Sequence, residues 1–385
     1  MGPRHAGFYQ IIKEKGILMK IVAAKAIPVR IPLNHPFTIA LGTLTHSNHV
    51  LVRMEDDSDR IGWGECTTFH SVYGYDQKSL YDVLTTYLIP AVKGYDPRNM
   101  EVLHQRMDQA MPFNLMAKCG IDLAAYDLVG KADGVPVHSL TGGKRVDRIP
   151  VTAAVGIDSP AQTAAMAEQL VAKGFNTIKI KIGLDSGKDL ERVRLVRKTL
   201  GDEIKLRVDA NQGYDRSTAL KVLEQMEPIA LEWIEQPLPD WDLEGLAMLA
   251  DRLETPIALD ESVYTVHDAQ RAIAAGAADV INIKVPKCGG IYRSQQIAAL
   301  CEQNNIPCFL GGCIETTPGT SAQAHFYTST PNIISAAEME GPFCYVDDIV
   351  KDIMDIENGM IKIPEGPGFG ITIDEKKVAR YRISF

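Results

Sequence analysis

The chain opens with strand-like alternation. From Met19, KIVAAKAIPVRIPL gives way to a polar stretch, NHPFTIALGTLTHSNH, and then to VLVRMEDDSDRIGWGEC, whose DDSD tip predicts a hairpin turn. Over residues 77–135 the period lengthens. KSLYDVLTTYLIPAV and AKCGIDLAAYDLVGKADG carry apolar residues at helical spacing, which predicts helices. Strands followed by helices predict an α+β unit over 19–145. Residues 1–18 precede the first strand pattern and lack the apolar centre of a signal peptide, so they are read as an extension outside the fold.

From about residue 148 the pattern alternates regularly. IPVTAAVG, TIKIKIG, KLRVDA, LEWIEQ, PIALDES, VINIKV, PCFLGGC and IISAAEME read as short strands, and helical runs lie between them. Such units predict a parallel α/β barrel over 146–345, (β/α)8-like with one unit irregular. The segment 346–385 returns to strand and turn patterns and is expected to rejoin the first unit.

The 385 residues are 45% hydrophobic and 23% charged, an ordinary globular composition. A net charge of −9 without a basic run argues against nucleic acid and anionic membrane as partners. No apolar run reaches the roughly 18 residues of a spanning helix. Seven scattered cysteines without a CxxC pair read as reduced thiols of a cytoplasmic protein and give no zinc pattern.

Polar residues recur at the C-terminal ends of the predicted barrel strands, where catalytic groups of barrels sit. They are Lys179 and Lys181, Asp209, Glu235, Asp260 and Lys284. From Asp209 to Lys284 the spacings are 26, 25 and 24 residues, about one barrel unit each, so these residues take equivalent places on successive strands. Three carboxylates on adjacent strands make an all-oxygen site suited to Mg²⁺; the plainer alternative is solvated strand ends. In TIKIKIG the isoleucines share one face and the two lysines the other. If the isoleucines meet the helices, the lysines enter the barrel mouth. There, an ammonium near a metal and a second ammonium is suited to acid–base work. The chemistry expected is removal of the α-proton of a small carboxylate substrate. The metal would stabilise the enediolate, and Lys181 or Lys284 would move the proton.

The set KIKIG, RVDANQGY, WIEQP, LDES and INIKVPKCGG resembles the muconate-lactonizing-enzyme subgroup of the enolase superfamily. GWGECTTFHSVYGY, AKCGIDLAAYDLVGK, GVPVHSLTGG and IPEGPGFGI extend the likeness over nearly the whole chain from Met19. The resemblance implies a (β/α)7β modified TIM barrel under an N-terminal α+β capping domain completed by the C-terminal segment. It implies Asp209, Glu235 and Asp260 as Mg²⁺ ligands, with Mn²⁺ as an acceptable substitute. Lys181 and Lys284 would flank the substrate, and Lys179 would act electrostatically near its carboxylate. Glu315 in GGCIETTPG would support the site, Asn211 would stand behind it, and His70, Tyr73 and Tyr75 would lie in the covering segment, with Tyr73 touching substrate. His325 is read as packing, and a homo-oligomer is expected.

The subgroup contains muconate cycloisomerases, dipeptide epimerases, o-succinylbenzoate synthases and N-succinylamino acid racemases. GECTTFHSVYGY, EMEGPFCYVDDIV and ITIDEKKVARY are most like cycloisomerases, so muconate cycloisomerisation leads. Epimerisation of a dipeptide or another cationic amino-acid derivative competes, and a non-catalytic ligand-binding barrel would require a lost ligand or lysine. Glu338 and Glu340 share one face at the end of the eighth strand. Dipeptide epimerases of the subgroup carry Asp-x-Asp there, holding the substrate ammonium. An acid at Glu340 would repel a muconate dianion and select a cationic or hydrogen-bond-donating group.

Overall fold

The computed structural model describes residues 19–339 and 341–385. Strands β1 (Ile21–Ile39), β2 (Gly42–Asp56) and β3 (Ile61–Thr67) form an antiparallel sheet in that order. The hairpin turn lies where the sequence puts it. Asp56 Oδ1 accepts from the backbone N–H groups of Ser58 and Arg60, and Asp59 takes a left-handed φ of 59°.

One face of β3 lies directly on the helix Leu115–Asp133. The contact is backbone to backbone. A Cβ on Gly64 would stand 2.0 Å from the Gly120 carbonyl oxygen, and one on Gly62 would stand 2.2 Å from that of Ala124. Period-two glycines in IGWGEC therefore mark the face that meets the helix. Trp63 and Glu65 are left on the other face.

Strands β5 (Thr152–Val155), β6 (Thr177–Lys181), β7 (Lys205–Asp209), β8 (Ile234–Glu235), β9 (Ile257–Leu259), β10 (Val280–Ile283) and β11 (Cys308–Leu310) pair in sequence order as a parallel sheet. Helices follow them, and the apolar residues between the layers form one continuous core.

The eighth position departs from the expected strand. IISAAEME forms single bridges instead of a ladder, Ile333 with Cys308 and Ala337 with Val151. Glu338 N–H donates to Leu310 and Ala337 N–H to Pro150, so the segment still spans from β11 to the start of β5 and closes the ring. Ser335, at φ 61°, turns the backbone out of extended geometry midway.

IPVTAAVG is likewise two elements. β4 (Arg148–Pro150) pairs with β13 (Met360–Lys362), which pairs with β12 (Ile356–Glu357), and β5 alone enters the barrel. The C-terminal segment thus first braces the barrel entrance. It then returns to the N-terminal sheet: the helix Glu375–Tyr381 packs on β1, and Ile383 N–H donates to the Pro28 carbonyl.

Candidate active site

Register brings the predicted residues level. Lys181 pairs with Asp209 across β6 and β7, and Asp209 with Glu235 across β7 and β8. All residues of β6 are buried, because its isoleucines meet the helices and its lysines fill the barrel interior. The Lys179 ammonium lies 2.9 Å from Asp209 Oδ2, 2.9 Å from Glu235 Oε2 and 2.7 Å from Glu338 Oε1. The Lys181 ammonium donates to Asp209 Oδ2 at 2.6 Å and to Asn211 Oδ1 at 3.0 Å.

Across the barrel, Lys284 donates to Asp260 Oδ2 at 2.6 Å and to the Tyr73 hydroxyl at 2.9 Å. Lys287, one turn further on, is wholly buried. It donates to the Asp260 carbonyl, to Asp260 Oδ1 and to the Asn282 carbonyl, using all three of its N–H groups. Asn282 Nδ2 in turn donates to Glu235 Oε1 at 2.9 Å.

Lys179, Lys181, Asn211, Lys284, Glu315, Glu338 and Tyr73 line one cavity. Phe37, Ile39, Phe69 and Val72 of the N-terminal unit give it an apolar roof. Glu315 is buried and accepts from the Cys313 backbone N–H at 2.9 Å. Of the other residues singled out in the sequence, His70 is exposed and Tyr75 half-buried. His325 stacks on His138 and accepts from its backbone N–H, which is a packing role. Glu340 lies outside the described residues.

Opposite charges set the ionisation here. Burial alone would raise Asp209, but Lys179 and Lys181 outweigh it and hold the carboxyl well below its usual range. Asp260 is lowered in the same way by Lys284 and Lys287 against burial. Burial and the neighbouring Asp209 raise Glu235. Burial and Asp260 raise Glu261. Burial pushes Glu315 up to about 8. Lys179 and Lys284 are raised: burial opposes the charge, but the carboxylates around each ammonium prevail.

Four residues escaped the sequence reading. Asn282 shares a strand face with Lys284 in INIKV, a signal that was present. Glu261 adjoins Asp260, and Lys287 follows Lys284 by one helical turn. Glu65, buried on β3, gave none, because Thr316 and Gly319, whose N–H groups it accepts from, are more than 250 residues away.

A parallel barrel with lysines and carboxylates at its strand ends, roofed by an α+β unit, defines a class. Residues 162–377 match the enolase C-terminal domain-like family, and residues 21–142 match the mandelate racemase / muconate lactonizing enzyme N-terminal domain. The chain belongs to this family and is an enolase-superfamily isomerase.

It is 34% identical to the N-succinyl-L-Arg/Lys racemase of Bacillus cereus, over 93% of this chain and 96% of that one. It is 30% identical to muconate cycloisomerase 1 of Rhodococcus opacus, over 92% of this chain and 96% of that one. The crystal structure of a dipeptide epimerase from Enterococcus faecalis, complexed with Mg and L-Leu-L-Tyr, superposes with a TM-score of 0.88 at 34% identity. That match covers 92% of this chain and 99% of the other.

Proposed function

We propose that the chain racemises or epimerises the α-carbon of an amino-acid derivative, a dipeptide or an N-acyl amino acid, with Mg²⁺ as cofactor and Mn²⁺ as a substitute. One observation carries this reading. Lys181 and Lys284 come from strands four apart in a ring of eight positions, and both face the same cavity. Two ammonium groups on opposite walls suit removal of a proton from one face of a carbon and its return to the other.

Among the described residues, no three carboxylate, imidazole or thiol groups stand together in metal-holding geometry as the side chains lie. Lysines occupy the carboxylate oxygens instead. The donor set nevertheless fits a hard divalent cation. Asp209, Glu235 and Asp260 are buried and offer only oxygen. Beside them Asn282 Oδ1 is buried without a hydrogen bond, and Glu235 Oε2 is held only by the Lys179 ion pair at 2.9 Å. A cation held by these three carboxylates would supply positive charge facing the substrate carboxylate as its α-proton leaves, and would release the lysines from their acidic partners.

Lys181 and Lys284 then hold and move the proton at Nζ. Lys179 keeps a fixed positive charge at the cavity floor, paired with Glu338. Glu340 is assigned the choice of a cationic or hydrogen-bond-donating group distal to the reacting carboxylate. The apolar roof excludes water from the reacting carbon.

Muconate cycloisomerisation, favoured by the covering-segment sequence, stands as the second reading. An apolar roof and a relative of that name support it. It needs only one proton-transferring lysine, Lys181. The test incubates the Mg²⁺-loaded enzyme in D₂O with N-succinyl-arginine, L-Ala-L-Glu and muconate, followed by proton NMR. Deuterium incorporation with inversion of an amino-acid derivative is expected. Lactone formation from muconate without exchange of the others would replace the first reading by the second.

A further inference from the structure

The two lysines are held by different parts of the chain. Among the described residues, the hydrogen-bond partners of Lys181 belong to the barrel. Asn211 accepts from it at 3.0 Å, and Asn211 Nδ2 donates to Glu261 Oε1 at 3.0 Å. The Lys181 ammonium can only donate, so the Asn211 amide turns its carbonyl toward Lys181 and its NH₂ toward Glu261. Asn211 is held for this at a φ of 41°, with its own N–H on Asp209 Oδ1.

Lys284 differs. Its partner that is not a carboxylate is Tyr73, 211 residues earlier in the chain, on the short helix His70–Tyr73 of the covering segment. Phe69 and Tyr264 pack edge-on to the Tyr73 ring, with centroids 6.4 and 6.2 Å away. Tyr264 belongs to the barrel, so the ring is clamped between the two units. Gly74, at φ 73°, ends the helix immediately after it. Tyr73, expected from the sequence to touch substrate, lines the cavity and accepts from Lys284 through its hydroxyl.

We propose that Tyr73 is a positioning residue for Lys284 alone, so that seating the covering segment completes one proton-transfer group while the other is built into the barrel. This rests on the two-lysine reading above. It implies that the two directions of proton transfer depend unequally on the N-terminal unit. One isomer of the substrate loses its α-proton to a lysine that needs the covering segment, and the other isomer does not.

The experiment measures α-proton exchange in D₂O separately for N-succinyl-L-arginine and N-succinyl-D-arginine, and for L-Ala-L-Glu and L-Ala-D-Glu. Wild type, Lys181→Ala, Lys284→Ala and Tyr73→Phe are compared. Loss of one hydrogen bond to an ammonium should slow exchange about tenfold or more in Tyr73→Phe. The slowing should fall on the isomer that Lys284→Ala no longer exchanges, with little change for the other. Equal slowing of both isomers, or slowing of the isomer dependent on Lys181, would overturn the proposal.

Amide hydrogen exchange over residues 69–74 supplies a readout independent of turnover. Lys284→Met should speed it several-fold and Lys181→Met should not; equal effects would also overturn the proposal. If wild type exchanges none of the four probes, the two-lysine reading fails, and the amide comparison alone decides whether Tyr73 and Lys284 hold each other.

Discussion

Glu315 holds a proton at neutral pH that an unfolded chain would not. Its ordinary value is 4.5, and burial raises it to about 8. Between those values the native state binds the extra proton, so stability falls as pH rises, at up to about 1.4 kcal/mol per unit. The cost is absent below 4.5 and complete above about 8. Glu315→Gln has no proton to lose. Urea denaturation of the metal-free protein from pH 5 to 9 should show wild type losing stability relative to the variant up to about pH 8, then running parallel. Parallel curves throughout would refute the buried-acid assignment.

Lys287 makes a second residue-scale case. Removing one partner of a buried pair leaves the other charge uncompensated, at a cost of about 3–5 kcal/mol. Lys287→Met should lower the denaturation midpoint accordingly, because Asp260 Oδ1 and two carbonyls lose their donor. Lys287→Arg should rescue poorly, since a planar fork cannot place three donors around a point.

At the scale of elements, β3 depends on having no side chain where it crosses the helix Leu115–Asp133. Gly64→Ala would set a Cβ 2.0 Å from a backbone oxygen that has nowhere to move. A loss of about 3 kcal/mol or failure to fold is expected. Among the described residues, Gly187→Ala, in the first turn of the helix Ser186–Leu200, meets only its neighbour Asp185 at 3.5 Å. It should be neutral or stabilising by about 0.5 kcal/mol. Thermal melts of the two variants would separate these cases.

The same scale shows what the sequence could and could not reveal. The lysines and carboxylates of the candidate site were readable because a barrel repeats its unit about every 25 residues and so repeats the strand end where they sit. TIKIKIG also displayed its two faces outright. The eighth strand was overread, since hydrophobicity does not register that Ser335 turns to a left-handed φ to lend its hydroxyl to Arg207 and Glu232. The break at Val151 was invisible for a similar reason. The partner of β4 is a strand more than 200 residues later, and alternation alone does not name partners.

For the whole molecule, proton transfer from two walls predicts a pattern among variants. Lys181→Ala and Lys284→Ala should each abolish racemisation. Each should still exchange one isomer, and the two should retain opposite ones. Chelation should remove all activity, with Mg²⁺ or Mn²⁺ restoring it. Titration of the metal-free protein with Mn²⁺, followed by electron paramagnetic resonance, should show weakened binding in Asp260→Asn without unfolding. Undiminished binding in that variant would remove Asp260 from the ligand set.

Glu65 carries a consequence for how the molecule comes apart. Its carboxylate accepts from Thr316 N–H, Thr316 Oγ1 and Gly319 N–H, at the start of the barrel helix Thr317–Ser329, and it pairs with His49 at 2.8 Å. Thr316 makes no side-chain cap of its own. A barrel helix therefore takes its N-terminal cap from a strand of the other unit, and Asp348 of the C-terminal segment adds bonds to Thr317. Neither unit can melt without uncapping or orphaning buried groups in the other, a penalty of about 1–3 kcal/mol per group. Heating should give one calorimetric transition in which van't Hoff and calorimetric enthalpies agree. Glu65→Ala should split that peak before it abolishes the fold, so the melting profile reports whether the roof and the barrel behave as one cooperative body.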